Sequence, residues 1–189
     1  MHGVAEALVA PARAEGWRCA GADASIVPHV IVVAGGADVA ATLAAVRGSA
    51  GPRAVVPVIV VGGEAEDGLP EGADDRLPER YTADEARELL ARWRPEPSTA
   101  LDRIEATLGA AAVADLLLRL RHQLEAAMTR QSGGADRQMA HRLGGIAGLL
   151  GFSALGEAWL EAEQGRPDAL KNARRETRRA LAAIARRIG

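Results

Sequence analysis

Several residue types are nearly missing from this chain, and each absence narrows what it can be. Of its 189 residues, Cys19 is the only cysteine, which excludes an internal disulfide and any metal cluster built on thiolates. Lys171 is the only lysine, so chemistry that needs a lysine elsewhere has none to use. Aromatic residues make up 3%, so the core must be built from Ala, Leu, Val and Ile. No apolar run approaches the length of a membrane span, and the first residues lack a charged segment followed by an apolar one. A cytoplasmic protein with no membrane partner is therefore expected.

What is present describes a packed chain in two styles. Hydrophobic residues reach 48% and charged residues 25%, with a net charge of -2 that implies no general attraction to nucleic acid. The charge is uneven. From Arg166 onward eight basic residues face two acidic ones, Asp168 and Glu176. A solvated helix face accounts for such a run, and a docking or nucleic-acid patch is the alternative. Residues 29–34, "HVIVVA", and 56–61, "VPVIVV", read as buried parallel strands, each followed by paired glycines. "ADVAATLAAVRG" between them is helical in character and completes a βαβ unit. Residues 4–16 read as a helix, with a weaker strand near Arg18 to Ala24. "DDRLPERY" offers a short edge strand, and Thr82 with Glu85 forms a capping-box pattern opening a helix to about Trp93. The acidic residues Glu64, Glu66, Asp67, Glu71, Asp74 and Asp75 crowd one connection, a solvated loop or, less simply, a cation site.

"RPEPST", residues 94–99, breaks the chain between a domain at 1–93 and one at 100–189. Beyond it the period is helical throughout. One long amphipathic segment from Leu101 reaches about Arg130, and a second contains His141. A third is capped by Ser153, and a fourth runs from about Asp168 to Ile188. Four helices with short connections predict an antiparallel four-helix bundle. The fold class is thus α/β plus all-α: a small parallel sheet with helices, then a helical bundle.

The second helix holds the chemistry. In "AHRLGGIAGLLGF", residues 140–152, Gly144, Gly145 and Gly148 fall within about 60° of His141 on the helical wheel. Met139, Leu143, Ile146, Ala147 and Leu150 lie opposite. The histidine therefore faces outward among residues without side chains, with Arg137 and Gln138 one turn before it. Glycine costs a helix roughly 1 kcal/mol relative to alanine. Two explanations stand: packing against a neighbouring helix, or clearance for another molecule to approach the imidazole. An exposed imidazole is largely unprotonated near neutral pH and is a competent nucleophile.

This stretch resembles the signature of histidine-containing phosphotransfer (HPt) domains, Ala-His-x-Leu-Lys-Gly followed by small residues and Leu-Gly. Ala140, His141, Leu143, Gly145, Leu150 and Gly151 match it. The resemblance implies that His141 is the phosphoacceptor and that Arg137, Gln138, Arg142, Gly144, Gly145 and Gly148 face the docking partner. The implied partners are receiver domains of response regulators or a hybrid histidine kinase. No cofactor or metal is expected on this chain, because the partner receiver would bring Mg²⁺. One position departs: Gly144 stands where the family keeps a lysine, and Arg137 or Arg142 is the substitute cation.

The first domain resembles a reduced receiver. "PHVIVVAGG" resembles the strand ending in the phosphorylated aspartate, a position held here by Ala34. The conserved Thr/Ser position is Gly62, and "GADDRLPERY" resembles the closing Lys-Pro segment with Glu79 and Arg80 in those places. Asp23 and Asp38 do not sit at the strand ends. Acyl-phosphate chemistry needs a carboxylate nucleophile, a Mg²⁺ site and a cation. The resemblance therefore implies a pseudo-receiver. The functions expected are phosphorelay carrier or, alternatively, a docking module that regulates a kinase or receiver without carrying phosphate. A histidine kinase remnant ranks below both, because no nucleotide-binding domain is present. His2, His29 and His122 show no zinc spacing.

Overall fold

The computed structural model describes residues 7–21, 27–36, 38–63, 68–95, 99–129, 136–166 and 168–188. The chain divides into two compact units, Met1–Pro95 and Glu96–Gly189. The first is mixed α/β with a three-stranded parallel sheet, and the second is helical among its described residues.

In the first unit the order is α1 (Val9–Ala14), β1 (Ile31–Ala34), α2 (Val39–Arg47), a 3₁₀ turn (Pro52–Val55), β2 (Val58–Val61), β3 (Asp75–Leu77) and α3 (Ala83–Arg92). The strands lie in the order β1-β2-β3, with Ile31 opposite Val58 and Ile59 opposite Asp75. The central strand β2 is buried along its whole length, as an apolar run without alternation requires. Its side chains still divide by parity. Ile59 and Val61 join Leu77, Ala12 of α1, Leu89 of α3 and Trp93 just past its end, while Val58 and Val60 join Val33 of β1 and Leu43 of α2. The sheet is thus sandwiched between helices.

Two acidic residues expected in a solvated run are instead structural. Asp74 pairs with Arg47 and accepts the Val58 N–H at 2.8 Å. Arg47 also donates to the carbonyls of Gly72, Ala54 and Val56, each at 2.8 Å, tying α2 to the loops on either side of β2. Asp75 accepts the Trp93 indole N–H at 2.9 Å and so fastens α3 to β3. Glu71 is exposed, and Glu64, Glu66 and Asp67 lie outside the described residues. The expected strand near Arg18 to Ala24 is absent over 18–21, and the rest of it also lies outside them.

The second unit contains α4 (Thr99–Leu108), α5 (Ala110–Thr129), α6 (Arg137–Leu149), α7 (Ser153–Glu163) and α8 (Ala169–Ile188). The single long helix expected from Leu101 to Arg130 is two, because Gly109 takes a left-handed conformation (φ 84°). Helices α5, α6, α7 and α8 each pack on two others and close a ring, with α4 against α5. Leu117, Leu124, Leu143, Leu155, Leu181 and Ile184 fill the ring. The Trp159 indole donates to the Thr177 hydroxyl at 3.0 Å inside it, and buried Glu176 is held by Arg179 and Arg175. Ser153 does not cap α7: it is the first helical residue, after Phe152. Among the described residues no helix is long and apolar enough to cross a membrane.

Candidate functional site

His141 sits one turn into α6. That helix starts where the Asp136 carboxylate accepts the Gln138 and Met139 N–H groups at 3.0 and 3.4 Å. Its buried side is Met139, Ala140, Leu143, Gly144 and Ala147. The imidazole lies away from that stripe, and its side chain is 74% exposed.

The end of α6 is as specific as its start. Gly151 has φ 83°, its N–H bonds to the Gly148 carbonyl at 3.1 Å, and the Phe152 N–H bonds to the Ala147 carbonyl at 2.9 Å. This pair of bonds is a Schellman motif, which only a residue tolerant of positive φ completes. The chain reverses there, and α7 returns antiparallel to α6. Three pairs fix the register: His141 with Glu163, Gly144 with Leu160, and Gly148 with Gly156. All three share Phe152 as their midpoint.

This register separates the glycines by role. A Cβ on Gly145 or Gly148 meets nothing within 4 Å, and both residues are exposed. They leave open space one and two turns beyond His141. Gly144 does not. It is buried, and a Cβ there would stand 2.8 Å from Leu160 Cγ and 3.1 Å from the Gly156 carbonyl. A Cβ on Gly156 would stand 2.9 Å from the Gly144 carbonyl. Gly144 and Gly156 therefore let two helix backbones approach closely, and Gly144 is not part of an accessible docking face. Any side chain at 144 would meet α7.

Arg137, Gln138 and Arg142 are exposed beside His141. Two features escaped the sequence reading. Leu149 is 81% exposed and Leu160 36%, an apolar margin along the same α6–α7 hairpin. Glu163 on α7 places Oε2 3.2 Å from His141 Nδ1. Nothing local in the sequence pairs residues so far apart; folding the hairpin about Phe152 does.

His122 Nδ1 is 3.8 Å from Glu125 on its own helix, His29 is exposed, and His2 lies outside the described residues. No three His, Cys, Asp or Glu residues gather as a metal site among the described residues. At the ends of β1 and β2, Gly35 and Gly62 are in backbone contact: a Cβ on Gly35 would be 2.9 Å from the Gly62 carbonyl carbon. Ala34 and Gly62 supply no carboxylate or hydroxyl there, Glu79 and Arg80 are exposed, and Asp23 lies outside the described residues. No protein family, curated protein or solved structure matches this chain.

Proposed function

We propose that this chain is a phosphorelay carrier: His141 accepts a phosphoryl group from a receiver aspartate and passes it to another receiver. The observation that carries this reading is an imidazole held on a packed helix, largely exposed, with Gly145 and Gly148 leaving open space beside it. The closed ring of α5–α8 fits an HPt-type four-helix bundle, with α4 as an addition. The sheet order β1-β2-β3 fits the last three strands of the doubly wound order 2-1-3-4-5. Among the described residues, the ends of β1 and β2 carry none of the groups that acyl-phosphate chemistry needs, which supports a pseudo-receiver. Mg²⁺ and the catalytic cation then belong to the partner receiver. Incubation with phosphorylated receivers should give an acid-labile, base-stable label on the wild type and none on His141→Gln. Equal labelling of that variant would overturn the reading.

A second reading is a docking module that regulates a kinase or receiver without carrying phosphate. It is favoured by the burial of Gly144, which removes the family's lysine, and by exposed Leu149 and Leu160 beside the histidine. Under this reading His141→Ala keeps partner binding and its effect, whereas the bulky Gly145→Trp removes both.

A further inference from the structure

We infer that the first unit pairs with a second copy of itself through the open edge of β1, joining two three-stranded sheets into one continuous sheet. The inference goes beyond the phosphorelay reading and does not rest on His141. β1 has β2 on one side and, among the described residues, no strand on the other. The Ile31 and Gly35 N–H groups donate to the Pro57 and Val61 carbonyls at 2.8 and 2.6 Å. Backbone direction alternates along a strand, so Val32 and Ala34 turn their N–H and C=O groups away from β2. Among the described residues nothing bonds to those two N–H groups.

Sequence and position disagree on this strand. Residues 30–34, "VIVVA", are an uncharged aliphatic run, the composition of a strand with neighbours on both sides. In place, Val30, Ile31, Val32 and Ala34 are all partly exposed, and only Val33 is buried. The opposite edge of the same sheet is built differently. β3 pairs Asp75 and Arg76 with a single apolar residue, and Pro78 follows it. The Arg76 N–H is already taken by the Asp75 carboxylate at 2.9 Å. Charge and proline are among the means by which a sheet closes an edge against further strands. Between Val30 and Gly36 the chain carries neither.

A second copy fits this edge because the edge is its own complement. A two-fold axis at Val32, the middle of 30–34, sets the two strands antiparallel. The partner's Val32 then lies opposite Val32, the partner's Ala34 opposite Val30, and the partner's Val33 opposite Ile31. Every such pair is aliphatic, and none sets like charges together. The axis is perpendicular to the sheet, so each face continues into the same face of the partner. Val30 and Val32 are covered on the face of Ile59, and Ile31 on the face of Val58. Residues 18–21, upstream of β1, are exposed and take no strand conformation, so they do not supply the missing neighbour.

The test uses the full chain in analytical ultracentrifugation from micromolar to millimolar concentration, with amide hydrogen exchange read by NMR. The wild type should associate to a dimer. Its Val32 and Ala34 amides should exchange slowly in the dimer and fast on dilution. Ala34→Pro removes one outward N–H, a change that an edge strand tolerates. The two-fold axis makes that two lost bonds per dimer. The dissociation constant should therefore rise by about 10- to 100-fold, with unchanged circular dichroism. In a Cys19→Ser background, Val32→Cys should cross-link on oxidation. Hydrogen-bonded antiparallel pairs hold their Cα atoms about 5.5 Å apart, within disulfide reach. Ala40→Cys, at an exposed position on α2, should not cross-link. A wild type that stays monomeric at every concentration overturns the proposal, and slow exchange at Val32 and Ala34 in that monomer would assign the edge to another segment of this chain. A dimer that keeps its affinity in Ala34→Pro and does not cross-link through Val32→Cys uses another surface, which overturns it equally. Should Ala34→Pro fail to fold, the cross-link and the wild-type exchange decide.

Discussion

At the scale of single residues, the glycines around His141 make opposite predictions although they are neighbours in sequence. Gly144→Ala places a methyl 2.8 Å from Leu160 Cγ and 3.1 Å from a backbone carbonyl. Leu160 is partly exposed and can turn away, but the carbonyl belongs to the α7 backbone and cannot. Overpacking of this kind should cost about 1–3 kcal/mol. Gly145→Ala meets nothing, removes a flexible residue from a helix interior, and should gain up to about 1 kcal/mol. Urea midpoints of the two variants should lie on either side of the wild type; two shifts of the same sign would show that the α6–α7 contact is not as described. The exposed histidine was legible from the sequence because an apolar stripe lay opposite it on the wheel. The split among its glycines was not, because a helical wheel has no second helix on it. Glu163 escaped for the same reason: its partner is 22 residues away, and only the antiparallel return at Gly151 and Phe152 joins them.

At the scale of elements, what could be read was what short-range chemistry decides. Thr82 and Glu85 form the reciprocal capping box at α3: the Thr82 N–H donates to Glu85 at 2.7 Å, and the Glu85 N–H to the Thr82 hydroxyl at 3.2 Å. Thr82→Ala should cost about 1 kcal/mol of stability in the first unit. Two donors hold the Glu85 carboxyl below the usual carboxylate range: the backbone N–H of Thr82, the main cause, and the Thr82 hydroxyl at 2.9 Å. A folded-state pKa below the unfolded one gives stability that is present above the ordinary carboxylate pKa and is lost as pH falls through the folded value. The gap in melting temperature between wild type and Glu85→Ala should therefore close on acidification from pH 7 to below the carboxylate range. A gap that stays constant with pH would mean that the box contributes nothing through its charge. β1 and β2 were legible because runs of Val and Ile ended by glycine pairs have few other solutions. The break at Gly109 was not, since a glycine inside a helical pattern can be tolerated there, and only its φ of 84° decides. Asp74 and Asp75 looked like members of an acidic run because their partners, Arg47 and Trp93, are 27 and 18 residues away.

At the scale of the whole molecule, the two units bury their apolar residues by different rules, and each rule is complete within its unit. In the first, a fully buried β2 has helices on both faces and the core contains Trp93. In the second, every helix of the α5–α8 ring has two neighbours in the ring, and Trp159 lies in its interior at 1% exposure. An amphipathic helix is stable in water once its apolar stripe is covered, whatever covers it. The residues from Glu96 to Gly189 should therefore fold without the first unit. Their tryptophan signal comes from Trp159 alone, since Trp17 and Trp93 belong to the first unit. The isolated piece should melt in one cooperative step by both circular dichroism and Trp159 fluorescence, and phosphorylation of His141 by phosphoramidate should proceed as in the full chain. A piece that is helical but melts gradually, with Trp159 already in water at low temperature, would mean that the ring needs the first unit to pack. Retained cooperativity with lost phosphorylation would instead place part of the imidazole's chemistry outside the helices that hold it.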